Sequence, residues 1–262
     1  MPYKFIRYEK ADRVARITIN RPEVLNALHP PGSAEMREAF SDFRDDPDLW
    51  VAIVTGEGDR AFCAGNDLKY QSEHGRPGEI YAGAETTPFA GITSDFTCWK
   101  PIIAAVNGYA VGGGLELALA CDLVIASENA QLGAPEGLVG LVAGAGGAHR
   151  LPRQLPLKVA MYMLLTGKRV TAKEAHGWGL VNEVVPQDQV IPAAESLAHE
   201  ILKCAPLSVR AHKQMVLTGL GLPLDQAMGR DYSEFQGAMA SADYVEGPKA
   251  FAEKRPPVWK GS

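Results

Sequence analysis

Between residues 101 and 148 the chain carries ten of its 27 glycines, four acids and not one lysine or arginine. At average charge density a stretch of that length would hold about ten charges, so this one belongs inside the molecule. The four acids are Glu116, Asp122, Glu128 and Glu136. A carboxylate in such surroundings is costly unless it is exposed, neutral or paired. The fold must therefore wrap the rest of the chain around a glycine-rich centre and still find work for its acids.

Several classes are excluded around that centre. Glycine clusters interrupt every long uncharged stretch, so no run of 18 apolar residues can span a membrane. The opening stretch from Met1 to Arg13 has no apolar h-region and does not read as a signal peptide. Cys63, Cys98, Cys121 and Cys204 stand far apart without a C-x-x-C pair, which argues against zinc and against a disulfide framework. A reducing, cytoplasmic setting is expected. The net charge of −5 without a basic cluster makes a poor nucleic-acid binder. None of the six histidines forms an H-x-x-x-H pair, so no metal site is expected. No G-x-S-x-G elbow or Walker A loop is present, and the run from Gly144 to His149 departs from the dinucleotide fingerprint at His149.

Short β-branched runs recur at Val14–Ile19, Val51–Thr55, Ile102–Val106, Leu123–Ala126 and Leu180–Val185, separated by helical patterns such as Ser33–Arg44 and Ala172–Trp178. This alternation predicts an α/β core. After Pro186, three amphipathic stretches follow (Ile191–Lys203, Pro206–Leu217 and Leu224–Ser241) with few strand signals. The expected organisation is an α/β core over residues 1–190 and a helical region over 191–262. The stretch from Tyr70 to Ser94, rich in Gly, Pro, Thr and Ser, is long for a connection and reads as a functional loop.

Glu116 follows Gly112-Gly113-Gly114-Leu115 and precedes Leu117-Ala118-Leu119-Ala120, a turn feeding a helix start. The first N–H groups of that helix have no internal partner and can donate to an anion or a carbonyl oxygen. Glu116 either complements the helix dipole from the surface or, if buried, has its pKa raised into the range of proton transfer. Glu136, after Pro135, is the only charged residue between Glu128 and Arg150. It is a loop-tip acid or the second member of a carboxylate pair. Asp122 and Glu128 are assigned structural roles, as helix-end or turn residues. With no base nearby in sequence, no local cation is expected to pull the pKa values of Glu116 and Glu136 down. Cys63, between Phe62 and Ala64, reads as a small core residue and not as a nucleophile.

At these residues the sequence resembles the crotonase, or enoyl-CoA hydratase/isomerase, superfamily along nearly its whole length. The resemblance is carried by Ile17–Pro22 with Leu25–Leu28, Phe62–Leu68, Ala104–Ala118, Gly133–Glu136 and Gly144–Gly147. It continues through Leu165–Gly167, Gly179–Asn182 and Glu246–Pro248 running into Phe251–Arg255. It implies an α/β spiral of repeated ββα units with a C-terminal helical trimerisation region, assembled as a homotrimer or homohexamer. It also implies an acyl-CoA thioester substrate and no separate cofactor. By resemblance, the backbone N–H groups of Asn66 and Gly113 form an oxyanion hole. Glu116 positions or activates a water, and Glu136 delivers or removes the Cα proton. Val24, Ala27, Ala64, Asp67, Leu68, Lys69 and Lys254 fall at coenzyme A-binding positions, with Lys69 and Lys254 as phosphate partners.

Three departures stand out. Glu23 sits where many members carry a base, Ala143 replaces a frequent proline, and Asn66 with the 70–94 stretch does not follow the short-chain hydratases. Phe43–Pro47 and Pro257–Gly261 look similar to carnitinyl-CoA dehydratase-like members. The function implied is reversible hydration of a 2-enoyl-CoA. The alternatives are an isomerase or specialised dehydratase of the same fold, and, in another class, a non-catalytic RNA-binding or scaffolding relative.

Overall fold

The computed structural model describes residues 3–75 and 87–262. Two sheets carry the architecture. The larger contains β1 (Ile6–Ala11), β2 (Val14–Ile19), β3 (Val51–Gly56), β5 (Ile102–Val106), β7 (Leu123–Ser127) and β10 (Glu183–Val185) in that spatial order. Only the β1–β2 pair is antiparallel. The smaller sheet holds β4 (Ala61–Cys63), β6 (Tyr109–Val111), β8 (Gln131–Gly133) and β9 (Arg169–Thr171), with β8 and β9 antiparallel.

The chain alternates between the sheets. β3 is followed by β4 and α2 (Leu68–His74), then β5 by β6 and α3 (Gly113–Ala120). β7 and β8 lead into a 3-10 turn (Pro135–Val139) and α4 (Gly147–Gln154). Each turn of this spiral contributes one strand to each sheet and one helical segment, so the expected ββα repetition is present. Asn107, between β5 and β6, welds two turns together: its amide donates to the Gly56 and Gly58 carbonyls and its Oδ1 accepts from the Gly56 N–H.

The parallel strands are buried on both faces, which is why they read as continuous apolar runs. Ala52 and Val54 of β3, with Ala104 and Val106 of β5, face the main core beside Phe40 and Phe43 of α1 (Pro30–Asp45). Val51, Ile53, Ile103 and Ala105 face the other way, against Val190, Ala194 and Ala198 of the later helix Val190–Leu202.

α5 (Leu157–Thr166) and α6 (Ala172–Gly177) complete this part, and the helix on the large sheet is α7 (Val190–Leu202). The remaining helices are α8 (Pro206–Gly219), α9 (Leu224–Gly229), α10 (Ser233–Met239) and α11 (Ala242–Ala252). The stretch read as one helix over Leu224–Ser241 is thus two. The chain turns extended at Arg230 (φ −77°, ψ 143°) and Tyr232 (φ −120°, ψ 114°), immediately after Gly229. Gly229 is a weak helix former, and the Tyr232 hydroxyl donates to the Ala227 carbonyl and fixes the break.

Candidate active site

Glu116 is 4% exposed on the first turn of α3, close beneath the point where the helix begins. Its Oε1 accepts a 2.8 Å hydrogen bond from the Gly147 N–H at the start of α4. Burial raises its pKa from the ordinary 4.5 to about 7, and the neighbouring Glu136 carboxylate adds to the rise. The Gly147 and Ala145 N–H groups and the Arg150 charge pull in the opposite direction. The expectation that no local cation acts on the pair is therefore corrected. Arg150, distant from Glu116 in sequence, is brought beside it because α4 packs on α3.

Glu136 enters from the 3-10 turn Pro135–Val139, held in place by β8. The Gly112 N–H, immediately before α3, donates to the Gly133 carbonyl at 2.9 Å, so the residues preceding each acid are bonded directly. A Cβ on Gly112 would lie 3.5 Å from the Glu136 Oε1, which puts that carboxylate against the Gly112 backbone. Both Glu136 oxygens are buried and have no hydrogen-bond donor among the described residues. Burial raises its pKa as well. The two acids that the sequence singled out are thus brought together, one bonded and one unbonded.

The start of α3 is packed to a tolerance that only glycine meets. A Cβ at Gly114 would lie 1.8 Å from the Cys63 carbonyl oxygen, where β4 ends. Gly65 has φ +91°, the left-handed region, and its Cα sits so close that a Cβ would be 3.0 Å from the Gly113 nitrogen. The 65–66 turn is therefore pressed against the helix start, bringing Asn66 beside Gly113. The backbone N–H groups of Asn66 and Gly113 find no acceptor among the described residues, whereas Leu28 N–H bonds Gly65 and Asp67 N–H bonds Leu28. Two donors beside two acids can hold a thioester oxygen as negative charge develops on it.

The other sequence candidates occupy one neighbourhood, with one exception. Val24 ends a 3-10 turn (Pro22–Val24), Ala27 offers its carbonyl to Arg21, and Ala64 N–H donates to the Leu25 carbonyl. Asp67 caps α2 by accepting from Tyr70 N–H and pairs with Arg21 at 2.9 Å. Burial alone would raise its pKa, but the Tyr70 N–H and Arg21 overcome this and leave it below the carboxylate range. Leu68 is 45% exposed beside the exposed Lys69. Lys254 lies apart, exposed beyond the end of α11, with no hydrogen bond to this group among the described residues. Of the 70–94 stretch, residues 76–86 lie outside the described residues; the rest forms the end of α2 and a 3-10 turn (Phe89–Gly91).

Several residues of the site were not singled out by the sequence. Phe89 lies over the helix start, its ring 2.6 Å from where a Gly113 Cβ would stand. Gly147, marked in the sequence only as part of the Gly144–Gly147 motif, supplies the donor for Glu116, and Ala143, noted there only as a departure, packs under it, buried. Arg150 was visible only as the first base after the base-free stretch. The structural roles expected elsewhere are observed. Asp122 accepts from Ile102 N–H and Lys213 Nζ, both at 2.7 Å. Cys63 is fully buried, and burial pushes its thiol up to about 12. No cluster of metal-ligating side chains and no membrane-length apolar helix occurs among the described residues.

The enoyl-CoA hydratase/isomerase family matches residues 9–262. The chain is 43% identical over 257 residues to an (E)-benzylidenesuccinyl-CoA hydratase from Thauera aromatica, covering 98% of this chain and 99% of the relative. It is 43% identical over 252 residues to a carnitinyl-CoA dehydratase from Salmonella enteritidis, covering 95% of each. An enoyl-CoA hydratase from Mycobacterium marinum superposes with a TM-score of 0.89 over 100% of both chains at 38% identity. The chain belongs to the enoyl-CoA hydratase/isomerase family, as a hydro-lyase within it.

Proposed function

We propose that this protein is an enoyl-CoA hydratase, adding water reversibly across the double bond of a 2-enoyl-CoA thioester. The observation that carries the reading is the carboxylate pair at the start of α3. Glu116 is held by the Gly147 N–H, and Glu136 has no donor among the described residues. In the hydration direction the thioester oxygen accepts from the Asn66 and Gly113 N–H groups, which draws electron density from Cβ. Glu116 positions a water and takes its proton as the oxygen bonds to Cβ. Glu136, protonated at the outset, gives its proton to Cα as the enolate collapses; the proton taken by Glu116 then passes back to Glu136 through solvent, so one water is consumed and both acids are restored. Each oxyanion donor is worth about 3 kcal/mol in the transition state. A pKa of about 7 for Glu116 suits a group that must exchange protons near neutral pH.

The names of the two 43% identical relatives favour a branched or functionalised acyl group over a short straight chain. A specialised dehydratase acting on such an ester is the second reading. Val24, Ala27, Ala64, Asp67, Leu68 and Lys69 would receive the coenzyme A moiety, with Lys69 as a phosphate partner and Lys254 serving a neighbouring subunit. Residues 191–262 would form the oligomerisation region of a trimer or hexamer; exposed Val216, Leu217, Leu220, Leu224 and Met228 supply an apolar surface for it. Four free cysteines accord with a reducing, cytoplasmic setting.

The test is a panel of 2-enoyl-CoA esters (straight-chain, aryl-substituted and quaternary-ammonium) mixed with purified protein while the conjugated thioester absorbance is followed. Loss of absorbance with at least one ester is expected, and the fastest ester names the acyl class. No hydration or dehydration of any ester would overturn the reading.

A further inference from the structure

Arg150 stands on α4, half-buried, and no carboxylate lies within ion-pair distance of it among the described residues. Its guanidinium instead bridges two backbone segments. Nη2 donates to the Thr93 carbonyl at 3.0 Å and Nη1 to the Ala145 carbonyl at 3.3 Å. Nη1 reaches in against Gly146, where a Cβ would be 2.0 Å from it. Leaving a buried cation without a carboxylate is costly, and carbonyl acceptors compensate only in part.

Each bridged segment holds a different part of the site. Thr93 closes the turn after Phe89, with its Oγ1 donating to the Phe89 carbonyl at 2.8 Å, and the Phe89 ring is the one that lies over Gly113. Ala145 opens the loop whose Gly147 N–H holds Glu116. We propose that Arg150 is a positioning residue: one guanidinium locks the Phe89 turn to the Glu116-holding loop and so fixes the oxyanion donors and the acid relative to each other. Its charge acts on Glu116 as a second consequence of the same placement. The titratable groups on the elements around α3 are Cys63 on β4, Tyr109 on β6, Glu136 on the 3-10 turn, and His149, Arg150 and Arg153 on α4; Cys121 ends α3 itself. Glu136 and Arg150 are the two whose charges act on Glu116, in opposite directions.

The role concerns the reaction proposed above, and its test is arranged to fail separately from that reading. Arg150→Gln removes the charge and one arm of the bridge; Arg150→Lys keeps the charge but cannot bridge both carbonyls. In steady-state hydration, both variants are expected to lose about tenfold to a hundredfold in kcat with little change in KM, as geometry is loosened and binding is kept. The acid limb of the pH profile should move to higher pH in Arg150→Gln and return toward the parent in Arg150→Lys. Independently of turnover, carbon-13 NMR of labelled glutamate, assigned with Glu116→Gln, reads the Glu116 titration in the substrate-free protein. It should rise in Arg150→Gln and stay near the parent in Arg150→Lys. If the parent hydrates nothing, the proposed function falls while the NMR titration still decides the role of Arg150. Folded variants with unchanged kcat and unchanged Glu116 titration would overturn it, and so would a purely structural loss, seen as lowered Tm with parental kcat and pH profile. Should Arg150→Gln not fold, the kcat and KM of Arg150→Lys decide alone.

Discussion

Replacing Glu116 by glutamine should make the protein more stable and nearly inactive. The side chain is 4% exposed, and burial lifts its pKa from 4.5 to about 7. In the unfolded chain the group ionises near its ordinary value, so above pH 7 it is charged in both states and the folded state bears the full cost. At about 1.4 kcal/mol per pH unit, that cost reaches about 3 kcal/mol. The sign follows from the raised value: the folded state binds this proton more tightly. Its contribution to stability is therefore greatest below pH 4.5 and is lost as the pH rises through 7. Glutamine keeps an oxygen for the Gly147 N–H but adds an amide that needs an acceptor, which takes back about 1 kcal/mol unless Glu136 accepts from it. A gain of about 1–3 kcal/mol is left at pH 8, or roughly 2–4 °C in Tm per kcal/mol. Urea unfolding of parent and Glu116→Gln, at one protomer concentration and at pH 8 and pH 4.5, measures it. A variant no more stable than the parent at pH 8, or one that gains as much at pH 4.5, would refute a cost from the buried charge of Glu116.

The remaining predictions concern the frame around the acids. Gly113→Ala pushes a Cβ to within 2.6 Å of the Phe89 ring, which can move, so the fold should persist while kcat falls about a hundredfold or more. Asn66→Ala keeps the backbone N–H and should cost only a few-fold in the same assay. Gly114→Ala drives a Cβ to 1.8 Å from the Cys63 carbonyl, backbone against backbone, and should show up as a lack of soluble folded protein on gel filtration. Arg21→Met leaves the mostly buried Asp67 with its Tyr70 N–H but no cation, costing about 2–3 kcal/mol in urea unfolding at pH 7. Because Asp67 is held below the carboxylate range, that loss should shrink as the pH falls below 4, where the carboxyl takes up its proton.

Five strands of the large sheet are legible in the sequence because they are written as apolar, mostly β-branched runs, with the bounds of β2 and β5 matching to the residue. β1 is not, because this antiparallel edge strand is exposed at most of its positions and shows no apolar run. Nor is the small sheet legible. β4, β6, β8 and β9 have three residues each, too few to show a period, and they pair only with strands from other turns of the spiral. Glu116 and Glu136 stood out because an acid in an apolar stretch must be explained. Phe89, Gly147 and Arg150 did not, since each acts through a contact between distant segments that no local pattern records. The absence of bases between residues 101 and 148 misleads for the same reason: Arg150 reaches Glu116 through the packing of α4 on α3, and distance along the chain says nothing of that.

One measurement bears most directly on the paired-acid mechanism. The best ester of the enoyl-CoA panel is given to the parent, Glu116→Gln and Glu136→Gln, with the loss of conjugated thioester absorbance followed and coenzyme A-ester binding measured alongside. Each variant should bind the ester but turn it over slower by orders of magnitude, because Glu116 takes the proton that the water loses and Glu136 supplies the one that Cα gains. Near-parental turnover in either variant would contradict it.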